Sequence, residues 1–202
     1  MPRVSPEHLA ARRRQIVDAA RRCFLREGFH RTTMQDVIAE AGLSVGAVYR
    51  YFPSKADLIS AIAEEAVGGA EIVFDELLHR EPPLPLIEAL DRALAYVETQ
   101  VGDDGALRIA VQVWGEAQRD PVLAELVAAK YDGFRRHFEA LVRRAQGAGE
   151  VPADADPEAV ASALFGLVPG WFLQRLLTGH PDRATYLAGV RALLPPNPPL
   201  PP

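Results

Sequence analysis

The chain has 202 residues, of which 49% are hydrophobic and 24% charged, with one cysteine and a formal net charge of −5. That size suits one large domain or two modest ones, and the composition is that of an ordinary globular chain. A lone Cys23 excludes an intrachain disulfide. The polar start MPRVSPEHLAARRR lacks the apolar core of a signal peptide, and the longest mostly apolar run, Ala161–Leu173, falls short of the roughly 20 residues a bilayer span needs, so a cytoplasmic protein is expected.

The acidic balance argues against a nucleic-acid partner until it is divided. Residues 1–60 hold 10 Lys/Arg and 6 Asp/Glu, a net of +4, and residues 61–202 hold 12 and 21, a net of −9. A basic head on an acidic body is the charge pattern of a DNA-binding unit joined to a unit with another task.

The first helix is expected from about Glu7 to Glu27, with Ser5-Pro6 as its cap and Gly28 as its stop. Ile16, Ala19, Ala20, Cys23 and Phe24 share one face, so Cys23 reads as a buried structural thiol. Arg12, Arg13 and Arg14 form either a solvated face or, with Arg3 in the arm, a reach towards DNA. Thr33-x-x-Asp36 is a capping box, and Val37, Ile38 and Ala41 mark the buried side of a second helix that stops at Gly42. Leu43 plugs the turn, and Ser44 caps a third helix, Val45 to about Tyr51, too short to stand alone. Pro53 closes it, and Ser54-x-x-Asp57 is a second capping box.

Two helices across a tight Gly turn make a helix-turn-helix. The residues after Ser44 fit the second helix to DNA. Gly46 and Ala47 allow close approach beside Val45, and the exposed amides favour phosphate. Tyr49, Tyr51 and Lys55 are further phosphate donors with Thr32, Thr33 and Ser44, while Arg50 has the fork that matches a guanine edge.

This segment resembles the DNA-binding domain of the TetR family of one-component bacterial transcription regulators. The resemblance rests on Gly28-Phe29, Thr32-Thr33, the run AGLSVGAVYRYF from Ala41 to Phe52, and Lys55 with Leu58. It covers about sixty N-terminal residues. Beyond them it is looser: length, helical character, and a Trp-bearing helix followed by Arg119-Asp120-Pro121. It implies an all-α fold of about nine helices, with a DNA-binding domain over 1–54 and an effector-binding and dimerisation domain over 55–194. It further implies a homodimeric repressor that leaves a roughly palindromic double-stranded operator when a small molecule binds. The sign of regulation depends on where the operator lies relative to the promoter, so an activator remains open.

A long helix is expected from Lys55 towards His79, interrupted at Gly68-Gly69 and alone in joining the DNA cluster to the body. Helices then fit Leu86–Val101, Ala106–Gln118, Asp120-Pro121 to about Gln146, Asp156-Pro157 to about Thr178, and Asp182–Leu194. The proline-rich tail 195–202 is expected to be extended and disordered. Glu76-x-x-His79 matches half of a di-iron motif, but no second copy exists, the five histidines are scattered, and neither a phosphate loop nor a nucleophile elbow is present. Neither an enzyme nor a cofactor is expected.

The body offers Phe74, Tyr96, Arg108, Gln112, Trp114, Tyr131, Phe134, Trp171 and Phe172 as an apolar effector pocket with a few polar groups, suited to a hydrophobic or aromatic compound. Arg108 and Gln112, one turn apart, are its expected polar pair. The helix around Ala159–Leu173 is apolar on every side, and such a helix is buried on more than one side. Val160, Leu164, Leu167, Val168 and Trp171, with Tyr186 and Val190 of the last helix, are therefore expected at a two-fold interface, with a kink at Pro169.

Overall fold

The computed structural model describes residues 5–102 and 105–193, and among these it contains nine α-helices and no strand. They are α1 (Pro6–Glu27), α2 (Met34–Ala41), α3 (Val45–Tyr51), α4 (Lys55–His79), α5 (Leu86–Thr99), α6 (Ala106–Ala117), α7 (Pro121–Gly147), α8 (Pro157–Thr178) and α9 (Arg183–Leu193). The arm around Arg3 and the tail from Pro195 lie outside the described residues.

Local chemistry sets the boundaries. Ser5 Oγ accepts from the His8 amide at 3.2 Å, and Gly28, at φ +85°, ends α1. The capping box of α2 closes in both directions: Asp36 N–H donates to Thr33 Oγ1 at 3.2 Å and Thr33 N–H to Asp36 Oδ2 at 2.8 Å. Gly42 then takes the left-handed conformation at φ +65°, which costs a glycine little. Asp120, Asp156 and Asp182 cap α7, α8 and α9 through a carboxylate oxygen that accepts from an amide two or three residues on. Gly68-Gly69 does not interrupt α4, which runs through both. Its neighbouring turns supply enough hydrogen bonds to carry two glycines.

The helices gather into two compact units. One takes the described residues to Val67 together with Gly102–Ala128; the other takes Gly68–Val101 and the described residues from Ala129. The boundary thus falls within α4 and within α7, and not at residue 54. α6 accounts for the difference. It packs on α1, and its Ile109 and Val113 are buried in one core with Ile16, Phe24, Val37, Val48 and Leu58. The chain crosses between the units three times, so α4 is not the sole covalent link.

In the second unit α5 packs on α8 and α9. The Arg144 guanidinium binds the carbonyls of Leu77, Leu78 and Arg80 and so holds the end of α4. Arg183 of α9 pairs with Asp91 and Glu98 of α5. α8 reaches a mean hydropathy of 1.4 over 18 residues, so its length and composition alone would allow a membrane span, contrary to the reading from the shorter apolar run. Four of its large side chains, Leu164, Val168, Trp171 and Phe172, are buried inside the unit, while Leu177 is exposed.

Candidate nucleic-acid interface

α2 and α3 are joined by the turn at Gly42–Ser44, and α3 is anchored by one fully buried side chain, Val48. Leu43 and Tyr51 pack on the same core. Anchoring through Val48 turns the other side of α3 outwards. Val45 is 49% and Tyr49 42% exposed, and Gly46 and Arg50 are exposed beside them. Two large apolar surfaces left open on a seven-residue helix, with an arginine next to them, form a candidate reading head. Ser44 Oγ accepts from the Ala47 amide at 3.3 Å, and Ala47 is half-buried.

Three of the expected donors are committed elsewhere. Thr32 is buried, and its hydroxyl donates to Gly28 O at 2.8 Å. Its role is to close the loop after α1, and it has no free face for a phosphate. Lys55 points inwards as well. Its Nζ donates to Phe29 O at 2.8 Å and Thr32 O at 2.9 Å and lies 4.3 Å from the Phe29 ring centroid. Burial lowers the pKa of this ammonium, and Glu116 partly opposes the shift. A cation with two carbonyls in its grasp acts as a loop clamp. Thr33 is exposed, but its amide and hydroxyl both bind Asp36, whose pKa these hydrogen bonds lower. Arg31, exposed in the same loop, is a cation that the sequence reading passed over.

Arg13 lies 5.4 Å over the Phe52 ring and pairs with Glu64, and Arg12 bonds Gln15, so part of the arginine run serves α1 packing. Cys23 is fully buried, and burial raises its thiol pKa, which makes it a poor nucleophile.

The expected effector residues divide between the units. Arg108, Gln112 and Trp114 belong to the first. Arg108 is exposed, and Gln112 Oε1 accepts from the Phe29 amide at 2.6 Å within the same unit. In the second unit, Phe74 stacks on His137 at 4.8 Å and meets Phe138 edge-on at 5.2 Å. Phe165 lies 5.0 Å from Tyr131, 6.0 Å from Phe134 and 6.0 Å from Phe138. His137, Phe138 and Phe165 extend this cluster beyond the residues expected in the pocket; the i, i+4 spacing of Phe134 and Phe138 is the signal for Phe138. Trp171 lies elsewhere: it is fully buried, with Nε1 donating to Pro181 O at 3.2 Å. Tyr96 sits against Gly69 so closely that a Cβ there would come within 2.8 Å of its ring.

Four of the seven α8 and α9 residues expected at a dimer interface are covered by the chain itself. Leu164, Val168, Trp171 and Val190 are buried within the chain, Val160 and Leu167 are half-buried, and Tyr186 donates its hydroxyl to Leu167 O at 2.9 Å. The open side carries small residues: Ala159, Ser162, Ala163 and Gly166 on α8, and Ala188, Gly189 and Ala192 on α9, with Leu177 and Leu193 at the ends.

Residues 16–62, which span this reading head, match the model of the bacterial regulatory proteins of the tetR family, and residues 88–195 match that of the BetI-type transcriptional repressor C-terminal domain. The chain belongs to the tetR family. It is a helix-turn-helix transcriptional repressor of that family, 48% identical to the HTH-type transcriptional repressor Rv1474c of Mycobacterium tuberculosis over 89% of this chain and 90% of that one. Among solved structures, this tetR-family fold is similar to Salmonella enterica GusR, with a TM-score of 0.75 and 26% identity over 96% of this chain and 99% of that one. It is also similar to the SmeT–triclosan complex, with a TM-score of 0.72 and 25% identity over 91% of each.

Proposed function

We propose that this chain is a cytoplasmic homodimer that occupies a roughly palindromic operator and leaves it when a hydrophobic or aromatic small molecule binds the second unit. The outward face of α3 carries the DNA part of this reading. Val45, Gly46, Tyr49 and Arg50 are the residues an approaching duplex would meet, with Arg50 suited to a base edge and Tyr49 to a phosphate. Ser44, Ala47 and Thr33 support that face.

The dimer reading is supported by the open small-residue side of α8 and α9. Two such helices approach their two-fold mates closely because no large side chain holds them apart, and four helices then share one interface. A dimer presents two copies of α3 to half-sites one or more turns apart. The effector reading is supported by the ring cluster of Phe74, Tyr131, Phe134, His137, Phe138 and Phe165 in the second unit. Such rings favour apolar and aromatic compounds, and the related SmeT was solved with triclosan. An effector releases DNA only if it binds the DNA-incompetent state more tightly.

The test is selection of a preferred duplex from a random pool, followed by sedimentation of the complex. A palindromic site bound by two chains is expected; a single chain on an asymmetric site would overturn the dimer reading. Aromatic compounds that release the selected duplex would have to lose that effect when Phe165 is replaced by Ala.

A further inference from the structure

Phe29 follows the glycine that ends α1, so its peptide groups leave the helix ladder. Both are held by side chains from other helices. The Phe29 amide donates to Gln112 Oε1 of α6 at 2.6 Å, and the Phe29 carbonyl accepts from Lys55 Nζ of α4 at 2.8 Å. Gln112 Nε2 also reaches Phe24 O, at 3.4 Å. The Phe29 ring is buried, 5.3 Å from that of Phe24. Four residues on, Thr33 caps α2, and α2 leads directly to the reading head. The apolar contacts of Ile109 and Val113 hold α6 to this core without fixing its register, because apolar packing is not directional. The Gln112 hydrogen bond is directional.

We propose that Gln112 is a positioning residue for operator recognition, through which α6 sets the placement of the Gly28–Thr33 loop and hence of α2 and α3. Removing its acceptor leaves the Phe29 amide unsatisfied beside a buried ring. The loop then gains by moving off α6 to hydrate that amide. A specific site must draw the loop back before α3 fits, and its apparent affinity falls by the fraction of molecules with the loop in place. A non-specific duplex, held through phosphates, makes no such demand. Tertiary rearrangements that shift α6 would act on DNA by the same contact.

The experiment uses the full chain, the duplex it selects from a random pool, and a scrambled duplex of equal length. Gln112→Met keeps the side-chain length and removes the acceptor; Gln112→Glu keeps an acceptor. The Met variant is expected to raise Kd for the selected duplex about tenfold, to leave the scrambled duplex within about twofold, and to speed hydrogen exchange at the Phe29 amide. The Glu variant is expected to stay within about threefold of the parent on the selected duplex. Should the Met variant fail to fold, Gln112→Asn shortens the contact, and its Phe29 exchange rate and its Kd must rise together. Faster exchange with unchanged Kd, or a Glu variant as weak as the Met variant, would overturn the proposal. Failure of the parent chain to select any duplex would instead overturn operator recognition itself.

Discussion

α3 and α8 show opposite relations between a helix and its surroundings. α3 has seven residues, one buried anchor and an open side of large groups. α8 has 22 residues, a side of large groups turned inwards and an open side of small ones. On α3 the difference between sides is one of polarity and position, so Val48 against Val45, Tyr49 and Arg50 is easily read. On α8 both sides carry apolar residues, and the large ones other than Leu177 are buried or half-buried. Ala161, Leu164, Val168, Trp171 and Phe172 form a stripe at helical spacing, and Ala159, Ala163 and Gly166 lie outside it. Large side chains fill the chain's own core because they remove the most area from water, which leaves small ones on the open side.

The largest expected effect separates the two sides of α8. Leu164→Asp places a carboxylate in the core, and the second unit should lose several kcal/mol, on the order of 3–5, seen as loss of the cooperative unfolding transition. Ala163→Asp lies on the open side and should leave the fold intact. If this side is the dimer contact, the variant should sediment as a monomer and bind a paired operator about 100-fold more weakly. A stable Leu164→Asp dimer would reverse the assignment of sides.

On α3 the contrast is between Arg50 and Lys55. Arg50→Ala should cost about 1–3 kcal/mol at one base position of each half-site and relax preference there. Lys55→Met should lower the thermal stability of the first unit, because two carbonyls lose their donor, while leaving the salt slope of DNA binding unchanged. A drop of about one unit in that slope would return Lys55 to phosphate contact.

A smaller effect distinguishes the two glycines of α4. A Cβ at Gly68 meets nothing within 4 Å, whereas one at Gly69 meets the Tyr96 ring. Gly68→Ala should therefore stabilise the chain by about 0.5–1 kcal/mol, and Gly69→Ala should destabilise it; equal shifts in melting temperature would show that Tyr96 yields freely.

The smallest effect is the capping of α2. Thr33→Ala should cost about 1 kcal/mol. Hydrogen bonds from Thr33 hold the Asp36 pKa below the ordinary aspartate range. A carboxylate whose folded pKa is depressed contributes stability above its unfolded pKa and loses it as pH falls through the folded value. Acid titration of unfolding should therefore be shallower in Asp36→Asn than in the parent, and an unchanged acid limb would remove this cap from the account.

The main helix starts and stops are legible in the sequence because caps and glycine turns are local: Thr33 with Asp36, Ser54 with Asp57, Gly28 and Gly42 act within a few residues of themselves. The open face of α3 was legible too, since Ser44 to Tyr51 is short enough for the one buried anchor, Val48, to orient the rest. The partners of long side chains and the sides of apolar helices are set by packing between distant segments. Lys55 and Gln112 are polar groups whose partners lie 26 and 83 residues away along the chain, and no spacing rule connects them. α6 joined the first unit because its apolar side packs on α1 in that unit's core, a matter of shape among distant segments. The split of the aromatic and polar residues of the body between two units has the same cause. Helical periodicity says that a face is buried, and only packing says against what.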